Sequence, residues 1–214
     1  MSMNRPISVK MSLGALMLVL LSVSACERQA QNVNLSVNVS ATPPAQTKTA
    51  KKMWENIFYP QIDQLTTDAG LEKLRSNTPS QNALEIRIWV GVDETSTRAL
   101  VLRRTGDQWS AAYLPSRNSL KSSSRLISLP SPKSGWTVLW ERLNREEILT
   151  LPDASEVGAD NVYPDALAIV VEVRSNDSYR AYNYNGFDTS DHLEAKKITS
   201  ICKIISEEFN LILC

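Results

Sequence analysis

The strongest pattern along this chain is a two-residue alternation. Leu84, Ile86, Ile88, Val90 and Val92 alternate with Glu85, Arg87, Trp89, Gly91 and Asp93, the period of a strand with one apolar face. Residues 98–104 repeat it through Leu100 and Leu102. Gly106-Asp107 makes a turn, and Gln108 leads into a third run with Trp109, Ala111 and Tyr113 on one side. Such runs at short spacing predict an antiparallel meander, with a weaker fourth strand at 125–129. The alternation returns at 166–174, where Leu167, Ile169, Val171 and Val173 share a face. Asn176-Asp177 then turns that strand into Tyr179 to Tyr184, as a hairpin.

Between and after the strands the period lengthens. Trp136, Leu139, Trp140 and Leu143 fall at helical spacing and predict a helix over 135–147, its two tryptophans in a large buried contact. Ile198, Ile201, Cys202, Ile205 and Phe209 predict a last helix over 191–209, with Asp191 and Glu194 as its capping pair. Upstream, Trp54, Ile57, Phe58 and Tyr59 form an apolar cluster that opens the folded part. Pro60 breaks any helix there. A short helix is expected over 66–75 on Leu71 and Leu74, weakened by Gly70. The sum is an α+β fold: an antiparallel sheet with two main helices packed on one face. The opposite face is expected to be wetter. It supplies the candidate binding face, with Arg87 and Trp89 on one strand and Arg180 and Tyr182 on another, residue types enriched at binding hot spots. The competing reading has Trp89 and the tyrosines packing beneath a helix or loop, as a core on both faces.

The first residues follow neither period. Arg5 and Lys10 precede an unbroken apolar run, Leu16 to Leu21, which closes in Val23-Ser24-Ala25-Cys26. That order of charged, apolar and small residues is a secretory signal, too short to span a bilayer. The ending resembles the lipobox of bacterial lipoproteins. The resemblance implies that residues 1–25 are removed and that Cys26 becomes an acylated first residue carrying diacylglycerol and palmitate-type chains. The competing reading is an ordinary signal peptide cut at Ala25, with Cys26 left as a free thiol. Glu27 replaces the aspartate that tends to hold such lipoproteins at the inner membrane. In a Gram-negative host this implies the outer membrane, facing the periplasm. Residues 26–52 then read as the lipidated cysteine and a flexible tether. Its Gln, Asn, Ser, Thr and Pro residues bury too little to order it. A chain of that length reaches roughly 25–30 Å. Val33 to Val39 alternates like a strand but is taken as part of the tether. Residues 53–214 are a single globular domain.

Composition narrows the chemistry. Without residues 1–25 the chain keeps 21 basic and 23 acidic residues, so no basic face points to nucleic acid. His192, the only histidine, sits among Asp188 and Asp191 and is expected to be solvated. No nucleophile elbow, phosphate loop or metal-ligand spacing is present, so neither a cofactor nor a metal is expected. Asp153, Glu156, Asp160 and Asp165 form an acidic loop without the spacing of a calcium site. Arg117, Lys121, Arg125 and Lys133 form a basic one. Both are expected to be solvated. Cys202 and Cys214 are either a disulfide, as export favours, or a buried thiol and a free terminus. The globular part, from Glu85-Ile86-Arg87-Ile88-Trp89-Val90 through Gly135-Trp136 and Leu149-Thr150-Leu151-Pro152-Asp153 to Tyr179-Arg180-Ala181-Tyr182, resembles bacterial secreted proteins to which no activity attaches. Two function classes result. One is a membrane-anchored envelope lipoprotein whose non-catalytic domain binds an envelope protein or a cell-wall polymer. The alternative is an envelope hydrolase using paired carboxylates, Glu85 or Glu172 with Asp93, which must face one cleft about 5–10 Å apart.

Overall fold

The computed structural model describes residues 53–76, 83–92, 96–116, 125–159, 167–176, 178–186 and 190–214. All belong to one compact unit, residues 46–214. Cys26, its leader and the whole tether to residue 52 lie outside the described residues, as do Asp93, Arg117, Lys121, Asp160, Asp165 and Asp188.

The chain runs α1 (Met53–Asp68), β1 (Leu84–Val90), β2 (Arg98–Thr105), β3 (Gln108–Leu114), β4 (Ile127–Ser128), α2 (Trp136–Arg145), β5 (Ala168–Ser175), β6 (Ser178–Asn185) and α3 (Leu193–Phe209). The fold is α+β. Its six strands form one antiparallel sheet in the order β4-β3-β2-β1-β5-β6. Two-residue loops set the register: Thr105 pairs Gln108 across Gly106, and Ser175 pairs Ser178 after Asn176, whose φ is 50°. β1 sits between β2 and β5, and all seven of its residues are buried.

One face carries Leu84, Ile86, Ile88, Leu100, Leu102, Ile169, Val171 and Val173 and packs against Leu139 and Leu143 of α2 and Ile198, Ile201 and Ile205 of α3. Glu208 of α3 joins the helices: it accepts from Ser134 N and Oγ and from Arg142 Nη1 at 2.6–2.9 Å. The cysteine alternative resolves: Cys202 and Cys214 are joined by a disulfide that folds the C-terminal tail back onto α3. Leu213 in that tail is fully buried, and its carbonyl accepts from Arg98 Nε at 2.5 Å.

The opposite face is not wet. α1 covers it, burying Phe58, Ile62 and Leu65 against Trp89, Ala99, Leu114, Ala168 and Val170. The helix runs through Pro60 instead of stopping there. Pro60 and Asn56, the residue whose carbonyl bond proline forfeits, are both on the exposed side. The buried stripe continues across them, so packing offsets the lost bond. The expected helix over 66–75 is instead the end of α1. Gly70, at φ 68°, lets its own N–H reach Thr67 O and that of Leu71 reach Thr66 O, closing the helix. At α3 the N-cap is the exposed His192 rather than Asp191, and Asp191 lies 3.7 Å from Lys196. Trp140 is only partly buried. It packs with Trp136 against Trp109 at ring separations of 5.1 and 6.0 Å respectively.

Candidate functional site

Beneath α1 and the turn that follows it, the sheet surface is charged. Antiparallel pairing sets Glu85 opposite Arg174 and Arg87 opposite Glu172 on β1 and β5, and Arg103 opposite Glu85 on β2. Opposed residues project from the same face, so these five side chains form a checkerboard. Glu85, Arg87, Glu172 and Arg174 are all buried.

Each carboxylate has a different set of partners. Glu85 receives Arg87 at 2.7–2.8 Å and Arg103 at 3.1–3.2 Å. Burial works to raise its pKa, but the two guanidinium groups outweigh it and hold the carboxyl below the usual value. Glu172 accepts from Trp89 Nε1 at 2.8 Å and from the Tyr179 hydroxyl at 2.9 Å. Burial dominates there and pushes the carboxyl up, against the pull of Arg87, Trp89 and Tyr179. The Tyr59 and Tyr179 hydroxyls are 3.3 Å apart. A phenol has one proton to donate, so when Tyr179 donates to Glu172 it accepts from Tyr59. The two tyrosines thus carry a hydrogen-bond chain from α1 to the buried carboxylate. Burial raises Tyr59 to about 12, and it raises Tyr179 further, with the Glu172 charge adding to it.

The turn after α1 closes the checkerboard. Arg174 Nη1 donates to Leu74 O at 2.7 Å and also to Ser76 O. Arg75 lies 4.3 Å from the centre of the Tyr59 ring and bonds to Asp63. The other end of α1 is held by Asp153, whose Oδ2 accepts from Trp54 Nε1 and from the β6 amide of Asn183, both at 2.9 Å. Its Oδ1 caps the single 3₁₀ turn Ala154–Glu156 through Ser155 N.

The expected binding face does not exist as one surface. Arg87 and Trp89 face α1, whereas Arg180 pairs with Val173 and Tyr182 with Val171, on the side of α2 and α3. The hairpin register decides this: Tyr179, Ala181 and Asn183 are the β6 residues that share a face with Trp89. Trp89 and Tyr182 are fully buried. Arg180 ties β6 to the carbonyls of Leu149 and Leu151, and the Tyr182 hydroxyl donates to Ile148 O at 2.9 Å. Sequence reasoning also missed Asp153 as a hub. Its signal was present, because Asp153 and Glu156 have capping-box spacing.

Among the described residues no group of His, Cys, Asp and Glu side chains is placed to hold a metal ion, and no helix is long and apolar enough to cross a membrane. A groove of about 270 Å³ opens between α2 and α3, but Glu146 in it accepts from Ser200, and Arg142 is taken by Glu207 and Glu208. What fold and site define together is an α+β domain with a core on both faces of its sheet and a buried charge cluster under its first helix. No family model, curated protein or solved structure matches the chain.

Proposed function

We propose that this chain is an exported envelope protein, anchored through lipid on Cys26, whose globular domain is a non-catalytic binding or accessory module. The observation that supports export is the Cys202–Cys214 disulfide; the lipid anchor rests on the sequence that ends at Cys26. Disulfides persist in oxidising compartments outside the cytosol, and this one follows a leader that ends Val23-Ser24-Ala25-Cys26. In a Gram-negative host the address is the outer membrane, facing the periplasm, and the partner is an envelope protein or a cell-wall polymer. The hydrolase alternative loses support because Glu85 and Glu172 are both buried and engaged by Arg87, Arg103, Trp89 and Tyr179. Neither is presented to a substrate.

The test is Cys26→Ser with palmitate labelling and membrane fractionation in the native host. The parent should be labelled and membrane-bound. The variant should be unlabelled, and either soluble or retained as the uncleaved precursor. A variant that is processed, labelled and fractionated like the parent overturns the anchor.

A further inference from the structure

We propose that the outer edge of β6 is a strand-docking site and that residues 33–39 of this chain occupy it as a seventh strand. The hairpin register states which backbone groups point outward. Asn183 lies opposite Val170, and its N–H turns away from β5 to Asp153 Oδ2 at 2.9 Å. The Gly186 N–H, of the other parity, turns inward to Leu167 O at 3.3 Å. Tyr179 and Ala181 share the parity of Asn183, so their N–H and C=O groups also point outward. Among the described residues nothing pairs with those groups. The strand is open there: Ser178 is exposed, and Tyr179, Arg180 and Ala181 are half-buried. No proline, lysine or bulge guards the stretch 178–182. The other edge of the sheet differs, since the two-residue β4 is followed by Pro130 and Pro132.

Alternating outward donors and acceptors select an extended backbone, and three features select this chain's own. Val33, Leu35, Val37 and Val39 alternate with Asn34, Ser36 and Asn38, without a charge, in the pattern of a strand with one covered face. The chain enters α1 at this edge, because Trp54 Nε1 and the Asn183 amide share Asp153 Oδ2. Reach suffices: residues 40–52 extend up to roughly 40 Å, against about 14 Å for the open stretch 178–182. A linker of that length gives the segment an effective concentration on the order of millimolar, ahead of a free partner. The docking itself needs no lipid. On the envelope reading it has one consequence. Residues 27–32 are then the free tether, roughly 13 Å long, and the β6 edge is held toward the membrane.

The experiment measures amide hydrogen exchange in residues 27–214, which contain the whole compact unit 46–214. The Arg180 and Tyr182 amides face β5, so they should be slow in every variant and serve as the control. The Tyr179 and Ala181 amides should also be slow in the parent. Leu35→Pro with Ser36→Pro removes one donor of each parity. Both positions lie outside 46–214, so the domain stays folded. In that variant the Tyr179 and Ala181 amides should exchange about tenfold faster or more, the worth of one backbone hydrogen bond. Three results overturn the proposal. Free exchange at Tyr179 and Ala181 in the parent means an empty edge. Protection that survives both prolines means another occupant. Protection seen only at concentrations where the chain sediments as a dimer means that a second copy supplies the strand. None of these outcomes involves Cys26, so failure here is distinct from failure of the lipid anchor.

Discussion

On the side of the sheet covered by α2 and α3, Ile86, Ile88, Leu102, Val171 and Val173 meet Leu139, Leu143, Ile201 and Ile205, and apolar volume does the joining. On the side covered by α1, the same strands present Glu85, Arg87, Glu172 and Arg174 beside Trp89 and Val170. The first side is held by area and fit, which tolerate exchange of similar shapes. The second is held in half by apolar contact and in half by pairing, where losing one partner strands another in low dielectric. The two sides should therefore respond to different substitutions.

The largest effect expected is on the charged side. Glu85→Gln keeps the shape but removes the anion from Arg87, which is 2% exposed, and from Arg103. Breaking a buried pair by removing one partner costs about 3–5 kcal/mol, so denaturant unfolding should show a loss of that size. A loss below about 1 kcal/mol would show that water reaches Arg87. On the apolar side, Leu143→Ala should cost about 2–5 kcal/mol with its cavity, nearly independent of pH. A pH-dependent loss there would erase the contrast.

Smaller again is the effect at Asp153, which links α1 to β6. Asp153→Ala leaves the Asn183 amide and Trp54 Nε1 without their acceptor. Each buried unpaired donor costs about 1–3 kcal/mol, the cap on Ser155 N is lost as well, and Trp54 is only partly buried, so the total should be about 2–3 kcal/mol. Hydrogen exchange should speed up in α1 while β1 and β5 stay protected. Uniform acceleration would mean that α1 does not open separately.

The apolar side was the legible one. Alternation at 84–92 and helical spacing in α2 and α3 each state one face clearly, and the fold class follows from them. The α1 side was hidden for two reasons. Pro60 reads as a break, yet the stripe Phe58, Ile62, Leu65 packs through it. And Glu85, Arg87, Glu172 and Arg174 fall on the strand parity expected to be the wetter face, because their burial depends on pairing across β1 and β5 and on the cover of α1, which local pattern does not reveal. The face assigned to Arg180 and Tyr182 failed on a matter of register. In a hairpin the loop length fixes which parity faces inward, and a shift of one residue exchanges the faces. The disulfide is not legible in the sequence because Cys202 and Cys214 are brought together only by how the tail leaves Phe209, at the left-handed Asn210.

The smallest effect at neutral pH, and the sharpest in kind, belongs to Glu172. Its folded-state pKa lies above the unfolded value of 4.5, chiefly through burial. The folded state therefore holds that proton more tightly than the unfolded chain. Its contribution to stability is complete below the unfolded value and is lost as pH rises from there through the folded value. Glu85 runs the other way, since its folded pKa lies below 4.5. What it contributes is present above the unfolded value and lost as pH falls through the folded one. Glu172→Gln removes the first dependence and leaves the second. The amide still accepts from Trp89 or Tyr179 but turns a donor toward the other. One lost hydrogen bond, about 1 kcal/mol, then offsets relief from the buried charge, and the net change at neutral pH should stay within about that amount. The expected signature is a stability curve, measured by urea unfolding across pH, that no longer declines above 4.5 relative to the parent, while its acid limb is unchanged. A variant whose curve parallels the parent throughout would show that Glu172 keeps one protonation state across the range. The charged side would then differ from the apolar side only in pairing and not in titration.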